Sequence, residues 1–295
     1  MPKEFGFFEY SPPLDTDTLP RLRRLLKEAH KTVNKIHGVI FPELALTEDQ
    51  YGRISKYLMK QDILLICGVR KPPTSSGKAG KNYLQFDIPY IYPTRHQQSK
   101  HHRWRLNKRQ IVQYGLGSCL DVTWNWWEHI SIGNRTLYFV VLDDWLTVCP
   151  LICEDLARQD PVGEIVRAVG PNLVIALLMD GPQLNSRWPA RYATVLADDP
   201  GSSVLTLTSV GMSELSRPPS IQGQSRAVAL WKDAKGEAVS ITLPERSTGI
   251  ILSLSRNLEK EWSADGRDDG GTTGYPVLSG IHFVGSTPSQ LKVLR

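Results

Sequence analysis

Cys153 closes an apolar run, Thr147-Val148-Cys149-Pro150-Leu151-Ile152, and the acidic pair Glu154-Asp155 follows at once. A thiol at such a strand-to-helix junction stands out toward a substrate. It also lies beside backbone N–H groups that stabilise a thiolate or an oxyanion. The strand–nucleophile–helix elbow of serine hydrolases rests on the same geometry. Glu43 follows a second apolar run, Gly38-Val39-Ile40-Phe41-Pro42. Proline interrupts ladder pairing, so Glu43 is expected to project from a strand end, where a carboxylate can serve as general base. Lys108 lies in a third segment, Asn107-Lys108-Arg109-Gln110-Ile111-Val112-Gln113-Tyr114-Gly115. Singly, each residue has a plain structural reading: a small buried hydrophobe, a solvated loop charge, one more lysine in a basic stretch.

Together the three segments resemble the nitrilase (carbon–nitrogen hydrolase) superfamily, which carries a Glu–Lys–Cys triad in this chain order. Phe41-Pro42-Glu43 matches its strand-end glutamate motif. Lys108 to Gly115 matches its lysine segment, with Ile111, Gln113 and Tyr114 as variants. Ile152-Cys153-Glu154-Asp155 matches its cysteine, and Gly170-Pro171-Asn172-Leu173-Val174-Ile175 is similar to the strand that follows. The likeness covers roughly residues 1–285, read as one domain, with 286–295 as a tail. It implies an α/β fold, a four-layer α-β-β-α sandwich of two stacked sheets. It also implies a homodimer or higher homo-oligomer and no cofactor.

The resemblance assigns Glu43 as base, Lys108 as the cation beside the tetrahedral intermediate, and Cys153 as nucleophile toward an amide, carbamoyl compound or nitrile. The backbone N–H of Glu154 is the expected second oxyanion donor. Many family members have a further glutamate after the lysine segment, where this chain has Leu116; Glu128, in Trp124-Asn125-Trp126-Trp127-Glu128, is the candidate replacement. Lys100-His101-His102 resembles a Lys-His-His variant of the lysine motif, but the apolar residues after Lys108 favour Lys108. Tyr51, Met179, Trp188 and Arg191 lie near expected strand ends and are candidate substrate contacts.

At 295 residues the chain is long enough for a large core, and its hydrophobic fraction of 41% is ordinary. Its four cysteines show no ligand spacing with histidine, so no metal is expected, and a free catalytic thiol suits a reducing, cytoplasmic compartment. No apolar run approaches the ~20 residues of a membrane span. The net charge of +5 includes two basic stretches, Arg21 to Lys35 and Arg95 to Arg109. They leave open a nucleic-acid partner, although solvated faces explain such runs more simply. A catalytically inactive oligomerisation or regulatory module, within a larger defence-related polypeptide, is the alternative function.

These residues need elements to hold them. Strands are expected at Phe5–Phe8, Val39–Phe41, Ile63–Val69, Leu137–Leu142, Leu146–Ile152, Leu173–Met179, Val204–Val210, Arg226–Trp231, Ala238–Leu243 and Gly249–Leu254. Helices are expected from Asp17 to Ile36, Glu48 to Lys60, Asp160 to Val169 and Asn185 to Asp198. Asp233 to Glu237 reads as a hairpin turn. Lys71 to Asn82 and Asp265 to Gly271 read as loops, and residues 278–284 as a final strand or a partner-crossing arm.

Overall fold

The computed structural model describes residues 4–12, 16–74, 77–89, 96–133, 135–216, 226–262 and 268–285. Arg95 and the expected tail 286–295 lie outside the described residues.

The chain is α/β with mixed sheets. Its first half contributes β1 (Phe5–Phe8), α1 (Thr18–Ala29), β2 (Gly38–Thr47), α2 (Glu48–Met59), β3 (Leu64–Lys71), β4 (Lys81–Asp87), β5 (His96–Ser99), β6 (Arg105–Leu106), α3 (Lys108–Gln113) and β7 (Asn125–Glu128). Then follow β8 (Val140–Val141), β9 (Thr147–Ile152), α4 (Glu164–Val169), β10 (Leu173–Leu177), α5 (Trp188–Asp198), β11 (Ser203–Leu207), α6 (Val210–Leu215), β12 (Ala227–Lys232), β13 (Val239–Thr242), β14 (Gly249–Trp262) and β15 (Asp268–Val284).

One sheet runs β13-β12-β11-β10-β9-β8, with β9, β10 and β11 parallel. A second runs β2-β3-β4-β5, with β2 and β3 parallel. A small sheet, β1-β7-β6, and the antiparallel pair β14-β15 complete the set. Alternation along the strands sorts the side chains onto two faces. Ile66, Leu84 and Phe86 of the four-stranded sheet share a core with Ile152, Ile175 and Trp231 of the six-stranded one. On their other faces, Leu65, Cys67 and Val69 pack with Leu22 of α1 and Ile54 of α2. Cys149, Val174 and Val204 pack with Val166 of α4 and Ala193 of α5.

The long β14–β15 pair departs from the sequence reading. Residues 268–271, expected in a loop, are strand, and β14 continues well past Leu254. Cross-strand pairing overrides their polar, glycine-rich composition. The strand expected over Leu137–Leu142 shrinks to Val140–Val141, and α1 ends at Ala29 rather than Ile36.

Candidate active site

Glu43 does not sit at a strand end. Strand β2 continues to Thr47, but its pairing with β3 jumps from Phe41↔Cys67 to Leu46↔Val69. Residues 42–45 therefore bulge out opposite Gly68, with Leu44 at φ 57°. A bulge re-aims a side chain out of the ladder, which is how the glutamate leaves the sheet. Gly68 makes room for it: a Cβ there would lie 2.4 Å from the Glu43 Cα and 2.5 Å from the Pro42 carbonyl oxygen.

The lysine that meets Glu43 is Lys100. Its Nζ donates to Glu43 Oε1 at 3.0 Å and to Glu128 Oε2 at 2.7 Å. Asn82 Nδ2 closes the ring, donating to Glu43 Oε1 at 2.6 Å and to Glu128 Oε1 at 2.8 Å. The Trp104 backbone N–H also donates to Glu128 Oε2. All four side chains are buried. Glu43 Oε2 has no hydrogen-bond partner among the described residues.

Lys108, the lysine preferred from the sequence, is exposed at the first position of α3. Asn107 caps that helix and Gln110 bonds back to the Asn107 N–H, forming a capping box. The polar residues around Lys108 thus serve a helix start, and the apolar residues after it bury one helix face. Asn107-x-x-Gln110 was the overlooked signal. Glu128, the candidate replacement for the glutamate absent at Leu116, joins the cluster through Lys100 and Asn82.

Cys153 follows β9 at φ 48° and opens a tight helical turn, Cys153–Ala157. A non-glycine residue at positive φ is strained and is held only by its surroundings. Here Asp155, fully buried, supplies the hold: it accepts from the His101 N–H at 3.3 Å, and its Oδ1 pairs with His102 Nδ1 at 3.1 Å. The turn after Cys153 is thereby tied to the segment that delivers Lys100. Burial pushes the Cys153 thiol well up, and the Glu43 charge adds to this, while Lys100 and a backbone hydrogen bond from Met179 pull the other way. Burial disfavours the Lys100 ammonium, but the charges of Cys153, Glu128 and Glu43 win and hold it well above its ordinary value. Burial, reinforced by Glu128, raises the Glu43 carboxyl against the pull of Lys100 and Asn82.

The other expected contacts divide. Glu154 is half-buried, and its side chain pairs with Arg158. Met179 lies beside the thiol through that backbone bond. Tyr51 belongs instead to the packing of α2 on β3, Trp188 packs against Tyr192 on α5, and Arg191 is exposed. These three serve the helix layers because their helices turn those faces to the sheets or to solvent. The sequence reading missed Asn82 and a trio beyond β10: Asp180 accepts from Arg187 at 2.7 Å and from the Tyr114 hydroxyl at 3.2 Å. Burial raises the Tyr114 phenol, with Asp180 adding to the effect and Cys153 making a smaller contribution. Among the described residues, no helix is long and apolar enough to cross a membrane.

Solved structures with a similar fold include Nit3 of Saccharomyces cerevisiae, a member of branch 10 of the nitrilase superfamily. It has a TM-score of 0.53 and 13% identity, over 79% of this chain and 82% of that one. A carbon–nitrogen hydrolase from Helicobacter pylori G27 gives 0.52 and 13%, over 80% and 84%. An amidase of Nesterenkonia AN1, from the nitrilase superfamily, gives 0.51 and 12%, over 80% and 85%. The chain has the nitrilase-superfamily fold. No family model matches it, and no curated protein matches it by sequence. Glu43 and Lys100 are in direct contact, and both charges act on the Cys153 thiol.

Proposed function

We propose that the protein hydrolyses a non-peptide carbon–nitrogen bond, in an amide, carbamoyl compound or nitrile, through Glu43, Lys100 and Cys153. The observation that carries this reading is the buried Lys100–Glu43 contact, electrostatically coupled to the Cys153 thiol on its strained turn. A structural ion pair alone gives no reason to hold a strained thiol in the field of both partners.

For an amide, Glu43 takes the Cys153 proton as sulfur adds to the carbonyl carbon. The oxyanion that forms is stabilised by the Lys100 ammonium and by the N–H of Glu154. Collapse breaks the carbon–nitrogen bond, and the leaving amine takes the proton from Glu43. Water then adds to the thioester, again giving a proton to Glu43, and the thiol is expelled and reprotonated. A nitrile enters the same cycle through a thioimidate. The raised Glu43 carboxyl fits a group that both accepts and returns a proton. Glu128, bonded to Lys100 and Asn82, keeps the ammonium in place. The apolar core between the two sheets, with helices on their other faces, supports the four-layer sandwich reading. A homodimer or higher homo-oligomer is the proposed assembly.

Intact-mass spectrometry against a panel of small amides and nitriles tests the proposal. A covalent adduct, mapped to Cys153 and absent from Cys153→Ala, is expected. Product release unaffected by that substitution would overturn it.

A further inference from the structure

Arg70 is a buried cation that the proposed chemistry does not use. It is 8% exposed, near the end of β3, and its Nη1 has no hydrogen-bond partner among the described residues. A guanidinium is always charged, and burial without an anion is costly. Its place in the sheet is informative. Arg70 stands opposite Asn82 across the β3–β4 ladder and two residues beyond Gly68 on its own strand. It therefore shares a face with both. Gly68 accommodates the Glu43 bulge, and Asn82 bonds Glu43 and Glu128. Two residues along a strand span about 6.5–7 Å, so Arg70 lies one step from the carboxyl cluster.

A pocket opens there, lined by Arg70 together with Tyr10, Leu44, Lys81, Asn82 and Glu128. Two acidic groups face it: Glu128, which shares Lys100 with Glu43, and Glu9, hydrogen-bonded to His129 at 3.0 Å. Lys71, also on its wall, pairs with Glu48. Arg70 and Lys81 are the cations on its wall that no carboxylate meets within ion-pair distance among the described residues, and Leu44 adds an apolar wall.

We propose that Arg70 is the anion-binding end of the substrate site, so that the substrate is an amide or nitrile that also carries a carboxylate. This rests on the function proposed above. The carboxylate accepts from Arg70 while the reacting carbon is directed toward Cys153. The pocket thus selects substrates by a charge remote from the bond that breaks.

The test follows alkylation of Cys153 by neutral iodoacetamide, read by peptide mapping, with butyrate as the anion probe and uncharged 1-butanol as its control. Butyrate is expected to slow alkylation where 1-butanol does not. In Arg70→Gln the half-protecting butyrate concentration should rise about tenfold or more, as expected for loss of a charged hydrogen bond. Arg70→Lys should restore part of the protection, and it also serves if the glutamine variant fails to fold. Equal protection by 1-butanol, or protection unchanged in both variants, would overturn the anion site while leaving Cys153 as nucleophile. If iodoacetamide does not label Cys153, the proposed chemistry fails, and thermal melting with butyrate decides the anion site separately. Stabilisation lost in Arg70→Gln supports it, and no stabilisation of the parent protein removes it.

Discussion

Lys100 and Glu43 lie 57 positions apart and meet at 3.0 Å, both side chains fully buried. Lys100 answers two carboxyl groups at once, since Glu128 is bonded at 2.7 Å. Coulomb attraction offsets the loss of hydration only because Asn82 and the Trp104 N–H supply further hydrogen bonds.

Removing Lys100 should therefore do more than stop chemistry. Lys100→Met leaves two buried carboxyls without their cation and should cost about 3–5 kcal/mol. Urea melts will measure this. Lys108→Ala, at an exposed helix N-terminus where a cation opposes the dipole, should leave the midpoint unchanged or slightly raised. Adduct formation should vanish in the first variant and persist in the second; the reverse pattern would return the catalytic lysine to Lys108.

Gly68→Ala tests the bulge. The added methyl meets backbone atoms of Pro42 and Glu43, which cannot swing aside as a side-chain tip would. A loss of about 1–3 kcal/mol is expected. Activity should fall further than stability explains, because the base is displaced. Retained activity would show that Glu43 does not depend on this close approach.

The thiol should shape the alkaline limit of stability. Burial raises Cys153 above its ordinary value of 9.0, so the folded chain keeps a proton that the unfolded chain releases. Stability must then fall as pH rises above about 9. Lys100, also raised, contributes in the same direction above its ordinary value of 10.5. Cys153→Ser removes the thiol's share, so its melting temperature should fall less steeply above pH 9. Superimposable profiles would mean that the thiol is not raised by burial.

Asp155 is expected to act as a positioning residue. It joins the turn after Cys153 to His101 and His102, next to Lys100. Asp155→Ala should slow Cys153 alkylation by iodoacetamide and lower activity, and Asp155→Asn, able to keep part of the hydrogen bonding, should recover some of both. Equal loss of folding in both variants with no separate effect on the thiol would reduce Asp155 to a structural role.

Much of this was legible in the residues themselves. Glu43 after Phe41-Pro42 was visible, but the bulge that places it depends on pairing with β3. Cys153 at the end of an apolar strand is a local pattern, and such a pattern survives folding because strand and turn are set by near neighbours. The same holds for α2, which starts where Thr47 and Gln50 form a capping box. The choice between Lys100 and Lys108 was different in kind. Both follow plausible motifs, and sequence alone says nothing about which ammonium crosses to a glutamate on another strand. Pairing of β4 with β5 decided it, carrying Asn82 and Lys100 together toward the bulge. Asn82, Asp155 and Arg70 had no local signature either, since a buried polar group is recognised by what surrounds it. Periodicity indicated most of the elements, and the family resemblance of the motifs pointed to Glu43 and Cys153; the lysine that meets Glu43, and the shell around it, came from contacts between segments far apart in the chain.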